Sequence, residues 1–71
     1  MDYKPVESSN IKALAYKDGV LGVQFHNGTE YRYRDVPACV VDEMLVSASV
    51  GRSFNQLIKS KPDRYPYERI Q

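Results

Sequence analysis

The chain has 71 residues, of which ten are basic and nine acidic, so its formal net charge is +1. A chain of this length favours one small domain, and a domain of this size buries only about 60% of its unfolded surface. No apolar run approaches the roughly 18 residues of a membrane span, and residues 1–7 lack a signal-peptide core. Cys39 is the single cysteine and cannot form an internal disulfide. We therefore expect a cytoplasmic protein without membrane association.

The first part of the chain predicts an arm followed by a strand. Residues 1–9 are expected to be irregular, because Pro5 lacks an amide donor and the serines after it favour turns. A first strand is predicted at about 11–16, with Leu14 and Tyr16 on one face. The other face is predicted to carry Ile11, Ala13 and Ala15.

Two turn signals divide the following residues into further strands at about 20–26 and 29–35. Asp18 and Gly19 form the first turn, which pairs Leu14 with Val23. Asn27 and Gly28 form the second turn, and its length decides where the tyrosines lie. A two-residue turn would pair Val23 with Arg32 and leave Tyr31 and Tyr33 as a ligand platform. A three-residue loop, with Gly28 in the left-handed position, pairs Val23 with Tyr31 and Leu21 with Tyr33, and this register is preferred because it matches apolar faces.

After these strands the spacing of the apolar residues changes from two residues to between three and four. Pro37, which suits a first helical turn, begins a predicted helix at about 37–47, with Asp35 near its positive end. Its apolar face comprises Val40, Val41, Met44, Leu45 and Ala48. A second helix at about 52–59 buries Phe54, Leu57 and Ile58. The predicted fold is α+β, a three-stranded antiparallel β-meander packed against two short helices, with residues 60–71 as a tail of one domain spanning 1–71.

The order of these landmarks resembles a known family. Residues 8–11, the segment 23–28, the run 31–37 and the residues 48–55 with Ile58 and Lys59 follow the pattern of the KTSC domain, a small module named for the C-terminus of some lysyl-tRNA synthetases. Its tyrosine-x-tyrosine motif corresponds to Tyr31, Arg32 and Tyr33. Ser53 replaces an aromatic residue that the family tends to have before Phe54. The resemblance implies the fold above and a bacterial or phage origin, and it implies RNA binding, the one activity suggested for the family.

Basic and aromatic residues form the first candidate site. Nucleic-acid modules stack bases on aromatic rings and hold phosphates with lysine and arginine. The predicted nucleic-acid-binding residues are Tyr31, Arg32, Tyr33, Arg34, Arg52 and Lys59. The alternative is that both tyrosines pack under the helices while the arginines form a solvated strand face, and the preferred register favours this packing.

Two other segments are further candidates. Ser49, Gly51, Arg52 and Ser53 combine hydroxyls, a glycine and a charge near a helix start, where free amides attract anions. The same residue types also cap and break helices in the ordinary way. The C-terminal residues Lys59, Lys61, Arg64, Tyr65, Tyr67 and Arg69 interleave base and ring. They are compatible with a single-strand site or with a surface tail that docks on the sheet.

Catalysis has little support in the sequence. Cys39 lies in the first turn of a predicted helix, which can activate a thiol, but His26 beside the turn is not placed to serve as its base. One cysteine and one histidine do not make a metal site. We expect no enzyme, no metal and no cofactor. The leading hypothesis is a module that binds RNA or single-stranded nucleic acid, and the alternative is a protein-interaction domain whose sheet face or edge docks a partner, with the oligomeric state left open.

Overall fold

The computed structural model describes residues 1–71 as a five-stranded antiparallel sheet with helices on one face. The strands lie in the sheet in chain order. Their bounds are β1 Lys4–Pro5, β2 Ile11–Lys17, β3 Val20–Phe25, β4 Glu30–Tyr33 and β5 Tyr67–Arg69. The helices are α1 Ala38–Val46 and α2 Val50–Phe54, and α2 continues without a break as a π-helical segment, Asn55–Lys59. The α+β class is confirmed, with five strands where the sequence predicted three.

Both predicted hairpin registers are confirmed. Leu14 pairs with Val23 across the Asp18–Gly19 turn, where both turn residues have positive φ. Val23 pairs with Tyr31 across the second turn. There the N–H of Phe25 donates to the carbonyl of Thr29 at 2.9 Å, which encloses a three-residue loop. Gly28 lies in this loop with a φ of 93°, a conformation that glycine adopts without steric cost.

The predicted face of Ile11 is wrong. A register irregularity between Ile11 and Ala13 pairs Ile11 with Phe25, and Ile11 is fully buried in the core under the helices. An extra residue in one strand reverses the alternation beyond it, so Ile11 lies on the same side as Leu14. The bulge therefore adds a large aliphatic side chain to the core that strict alternation would have placed on the opposite face.

The helices follow the predicted positions with small changes. Pro37 has an extended conformation and α1 begins at Ala38, with Val41 and Met44 buried. Of the predicted apolar face, Leu45 is 48% exposed and Ala48 is exposed as well, so the buried face is narrower than the sequence indicates. The second helix begins at Val50, two residues earlier than predicted, because Ser49 caps it.

The core lies between the sheet and the helices. Its largest fully buried side chains come from strands, the β4–α1 connection and helices alike: Phe54, Ile11, Leu21, Met44, Ile58, Val23 and Val36. None of the helices has the length and hydrophobicity of a membrane-spanning segment.

Both ends of the chain are more ordered than the predicted arm and tail. Lys4 and Pro5 pair with Leu14 and Ala13 as the edge strand β1. Tyr67 to Arg69 pair with β4 as the opposite edge strand β5. These strands have only two and three residues, too few to show an alternating pattern, so they form because a neighbouring strand offers unpaired backbone groups.

The residues before β1 cover part of the second face of the sheet. A Cβ atom on Gly22 would clash with the hydroxyl of Tyr3 and lie 3.2 Å from the sulfur of Met1. The Tyr3 ring therefore lies over β3 at Gly22, where that strand has no side chain. Its hydroxyl donates to the carboxylate of Glu30 at 2.8 Å. The helices cover one face, and this arm covers the centre of the other.

We predict that Gly22→Ala displaces the arm. The added methyl group would also lie 2.9 Å from the Tyr3 ring carbon Cζ, so the ring must move away from Glu30. The free energy of unfolding should fall by about 1 kcal/mol, which for a domain of this size lowers the Tm by roughly 4–8 °C. Thermal denaturation followed by circular dichroism measures the loss.

The control is the same substitution in a Tyr3→Ala background. In that background the methyl group meets no ring. The decrease in the free energy of unfolding caused by Gly22→Ala should therefore nearly disappear, because the two residues are coupled. Equal losses in both backgrounds would contradict the close packing of Tyr3 on Gly22.

Candidate nucleic-acid interface

The structure places the two motif tyrosines on the helix side of the sheet. Tyr33 is 4% exposed and contacts Phe54 edge to face, with ring centroids 5.5 Å apart. Burial of the ring raises the pKa of Tyr33 to about 12. Tyr31 is half-buried and meets Phe25 edge to face at 5.9 Å. Tyr33 is therefore part of the core, while Tyr31 lies at its rim.

The fifth strand brings a third tyrosine to this rim. Tyr67 pairs with Tyr33 in the sheet, so its side chain projects to the helix side. Its ring stacks on that of Tyr31, with centroids 5.8 Å apart and planes 27° from parallel, and Tyr67 is 55% exposed. We call Phe25, Tyr31 and Tyr67 the aromatic row. It forms a partly exposed π surface along the helix side of β3, β4 and β5.

Arg32 and Arg34 do not join this row. Arg32 alternates with the tyrosines and lies on the opposite face, where its guanidinium is 4.0 Å from the carboxylate of Glu30. The Nε of Arg32 is buried without a hydrogen-bond partner. Arg34 is exposed beyond the end of β4, and its N–H donates to the carbonyl of Pro66 at 2.8 Å. The sequence motif is therefore split between two faces.

The opposite face holds a small polar cluster around Glu30. Tyr3 and Gln24 donate to its two carboxylate oxygens at 2.8 and 3.2 Å. The hydrogen bond from Tyr3 first, and that from Gln24 next, lower the pKa of Glu30. Burial raises the pKa of Tyr3, and its bond to Glu30 raises it further. Because Arg32 already lies beside this carboxylate, we assign it to the cluster that holds the arm.

The residues between the helices have structural roles. The hydroxyl of Ser49 accepts the N–H of Arg52 at 3.3 Å, which satisfies one free amide of the helix start. Gly51 is buried close to the hydroxyl of Ser8, at a position where a Cβ atom would lie only 2.9 Å from that oxygen. The side chain of Ser53 makes no hydrogen bond, and Arg52 is exposed. Ser49 therefore caps the helix, and Gly51 packs closely against Ser8.

Lys59 lies beside a groove that sequence reasoning missed. We call it the polar groove. Its volume is about 350 Å³, and it opens between the start of β2, the end of β3 and the α2 helix. Its polar side chains include Asn10, His26, Asn27, Asn55 and Lys59. Phe25 and Phe54 supply aromatic surface, and since Phe25 also belongs to the aromatic row, the groove and the row are continuous.

Further cations come from the C-terminal residues. Arg69 pairs with Tyr31 in the sheet and is exposed on the helix side. The guanidinium of Arg64 lies 5.9 Å from the ring centroid of Tyr65, which is buried. Tyr65 and Tyr67 therefore dock this segment on the domain while its arginines remain in solvent. Only Tyr67 and Arg69 of this segment share a face of β5, which is too short a repeat to have indicated the strand from the sequence.

The chain resembles known proteins both in sequence and in structure. A family model described as the KTSC domain matches residues 7–65. An uncharacterized protein of Stutzerimonas stutzeri is 42% identical over 67 residues, covering 92% of each chain. A protein of Tsukamurella paurometabola is 38% identical over 60 residues, covering 82% of this chain and 90% of its own. The crystal structure of a KTSC domain protein from Yersinia pestis superimposes with a TM-score of 0.84 at 31% identity, covering 99% of this chain and 97% of the other.

We predict that Ser49→Ala lowers the free energy of unfolding by about 1 kcal/mol, because the N–H of Arg52 loses its capping oxygen. The matched control is Ser53→Ala, which removes a hydroxyl without a hydrogen bond and should change stability little. Urea denaturation of the two variants compares them. Equal stability of both variants would show that the cap contributes nothing.

The buried Tyr33 predicts a stability loss at high pH. Its pKa of about 12 exceeds the ordinary value of 10.0, so the unfolded chain releases this proton first as the pH rises. Between about pH 10 and 12 the free energy of unfolding should therefore fall by at most about 1.4 kcal/mol per pH unit through this group, whereas below pH 10 its contribution is constant.

The measurement is the difference in pH dependence between the wild type and Tyr33→Phe, which isolates the contribution of this hydroxyl from that of the rest of the chain. The substitution should flatten the pH dependence of denaturation above pH 10. Parallel curves for the two proteins would mean that the Tyr33 hydroxyl ionises as freely in the folded state as in the unfolded state.

Proposed function

The chain belongs to the KTSC domain family, and from the geometry of its helix side we propose that it binds single-stranded nucleic acid, RNA in particular. The observation that carries the proposal is the stacked pair of Tyr31 and Tyr67, with Tyr67 55% exposed. Sequence-tolerant binders stack successive bases on such rings. Phe25 extends the pair to three aromatic side chains in contact along one face.

Basic side chains lie beside the aromatic row, where they could contact the phosphates of a bound nucleic-acid strand. Arg69 lies beside Tyr31, and Lys59 lies at the far end beside Phe25. Neither residue makes an ion pair within the chain. The Nε of Arg69 donates to the carbonyl of Gln71 at 3.3 Å, so its two terminal NH₂ groups and the ammonium of Lys59 are the donors left for phosphates. Arg32, by contrast, has Glu30 as a neighbour on the other face. The proposed site therefore keeps Tyr31 and Lys59 from the sequence prediction and replaces the arginines of the motif by Arg69.

Local charge explains how a near-neutral protein could bind a polyanion. The net charge of +1 averages over two faces. Glu30 and Glu68 lie on the arm side, because Glu30 pairs with Gln24 and Glu68 with Arg32. The helix side of β4 and β5 carries Arg69 and no acidic side chain. Few phosphate contacts imply modest affinity, in which stacking carries a large share of the binding free energy.

We predict that Tyr67→Ala weakens binding of a short mixed-sequence RNA by about 5- to 150-fold. This range corresponds to the roughly 1–3 kcal/mol that one base contributes by stacking on an aromatic ring. Fluorescence anisotropy with a labelled RNA measures the Kd, and amide shifts of the labelled protein locate the site. Shifts should cluster at Tyr31, Lys59, Tyr67 and Arg69.

Two controls separate stacking from other effects. Tyr67→Phe retains the ring and should retain affinity, and Ile70→Ala removes a nearby exposed apolar side chain that is not part of the row. Between about 50 and 200 mM salt the affinity should fall with a slope of roughly −0.7 for each phosphate contact. Wild-type affinity in a folded Tyr67→Ala variant would refute the proposed surface.

A second candidate function is strand addition at the outer edge of β5. The N–H of Arg34 donates to the carbonyl of Pro66, and the N–H of Ile70 donates to the carbonyl of Glu30. The backbone N–H and C=O groups of the even-numbered residues in this segment therefore point towards β4. In an antiparallel ladder the backbone groups of Tyr67 and Arg69 then point away from the sheet, where an extended partner could pair with them. Absence of RNA shifts at low salt would favour this candidate, and its binding should be insensitive to salt.

A further inference from the structure

The polar groove has the size and composition of a small-ligand site. Its volume of about 350 Å³ lies within the range of roughly 300–1,000 Å³ that is usual for such sites. Aromatic surface from Phe25 and Phe54 is combined with several polar side chains, and no carboxylate lines it. Lys59 is its one charged residue, so the groove favours a ligand that is flat, hydrogen-bonding and anionic.

The hydrogen bonds within the chain determine which polar atoms remain free. The oxygen of the Asn27 side chain accepts from the N–H and the hydroxyl of Thr29, at 3.1 and 2.8 Å, which leaves its NH₂ group to donate. The Nε2 of His26 lies 3.1 Å from the carbonyl of Ser8. A carbonyl can only accept, so Nε2 donates to it and is not available to a ligand.

The remaining two carboxamides have both functions available. Neither the Asn10 nor the Asn55 side chain makes a hydrogen bond within the chain, so each offers one acceptor and one NH₂ donor. A carboxamide can pair with a base through a donor and an acceptor at once. The groove thus offers paired polar groups beside an aromatic wall, a combination that matches a nucleobase better than it matches a bare anion.

We propose that the polar groove binds one nucleotide, with its base against Phe25, the hydrogen-bonding edge of the base at Asn10 and Asn55, and its phosphate at Lys59. This inference rests on the proposed function, because it assigns the groove to one nucleotide of the bound strand. Phe25 and Tyr31 have ring centroids 5.9 Å apart, so the neighbouring base would meet the aromatic row. The row supplies affinity for any sequence, and the groove supplies preference for one base.

The test uses single nucleotides, which are too short to depend on the whole row. The labelled protein is titrated with each of the four ribonucleoside 5′-monophosphates, and in parallel with uridine, adenosine and inorganic phosphate. Amide shifts should appear at Asn10, His26, Asn27 and Asn55, and one nucleotide should bind more tightly than the other three. The nucleosides should bind more weakly than their monophosphates, because they lack the group that Lys59 contacts.

Two variants with matched controls assign the contacts. Asn55→Ala should weaken binding of the preferred nucleotide by about 2- to 12-fold, as expected for one hydrogen bond, while Gln56→Ala, the neighbouring exposed carboxamide outside the groove, should not. Lys59→Gln should weaken binding of the monophosphate and leave binding of the nucleoside unchanged. Lys61→Gln should affect the binding of neither. All four positions are exposed, and the melting temperature of each variant verifies folding.

The outcomes separate this inference from the proposed function. RNA binding that depends on Tyr67, together with no groove shifts from any nucleotide, would overturn the groove and keep the function. Groove shifts from nucleotides, with RNA affinity indifferent to Tyr67, would support the groove and reject the aromatic row. The inference would be overturned if inorganic phosphate bound as tightly as the nucleotides and Asn55→Ala had no effect on nucleotide binding, since only an anion would then be recognised.

Discussion

The register of the β3–β4 hairpin decides which side chains of β4 enter the core and which face the opposite side of the sheet. Gly28 at a φ of 93° extends the loop to three residues and sets Leu21 opposite Tyr33. A shift by one residue would exchange every side chain of β4 between the two faces. Tyr33 would then leave the core, and Phe54 would lose one of its two edge-to-face partners, the other being Phe25. The position of one glycine therefore determines both the core and the surface that we propose for binding.

The fifth strand depends on the same register. Tyr67 reaches the helix side only because its partner in β4 is Tyr33, and Arg69 reaches Tyr31 for the same reason. The arm behaves similarly on the other face, where Tyr3 fits over Gly22 and reaches Glu30. The residues before β1 and the strand β5 thus each carry a side chain that completes one face of the hairpin. The two faces have different chemistry, with aromatic rings and cations on one and a carboxylate cluster on the other.

Much of the central fold could be predicted from the sequence, because Asp18–Gly19 and Asn27–Gly28 fix turns and the strands between them are long enough to alternate. The helices were predicted for the related reason that Val41, Met44, Phe54 and Ile58 repeat at helical spacing. The bulge that buries Ile11 has no signal in the alternation, since it consists of one extra residue. The edge strands were missed because two or three residues cannot display a period, and their pairing depends on β2 and β4.

The candidate site was only partly predictable, and the physical reason is the same alternation that identified the strand. A run of tyrosine, arginine, tyrosine and arginine looks like one site in sequence, but successive side chains of a strand point to opposite faces. Tyr31 and Arg32 are therefore neighbours in the chain and lie on different surfaces. The cation that belongs with Tyr31 is Arg69, which is 38 positions away in the chain and beside it in the sheet.

The width of the sheet explains why a domain of 71 residues has an aromatic surface to offer. Five strands extend beyond what α1 and the short α2 helix cover, so the β4–β5 side of the helix face remains partly open. Tyr33 lies under Phe54 at 4% exposure, Tyr31 is half-buried, and Tyr67 is 55% exposed. The rings thus form a gradient from core to solvent, in which the buried ring supports the exposed one. The outermost ring can therefore be offered for the binding that we propose without removing side chains from the core, because it is the ring least buried in that core.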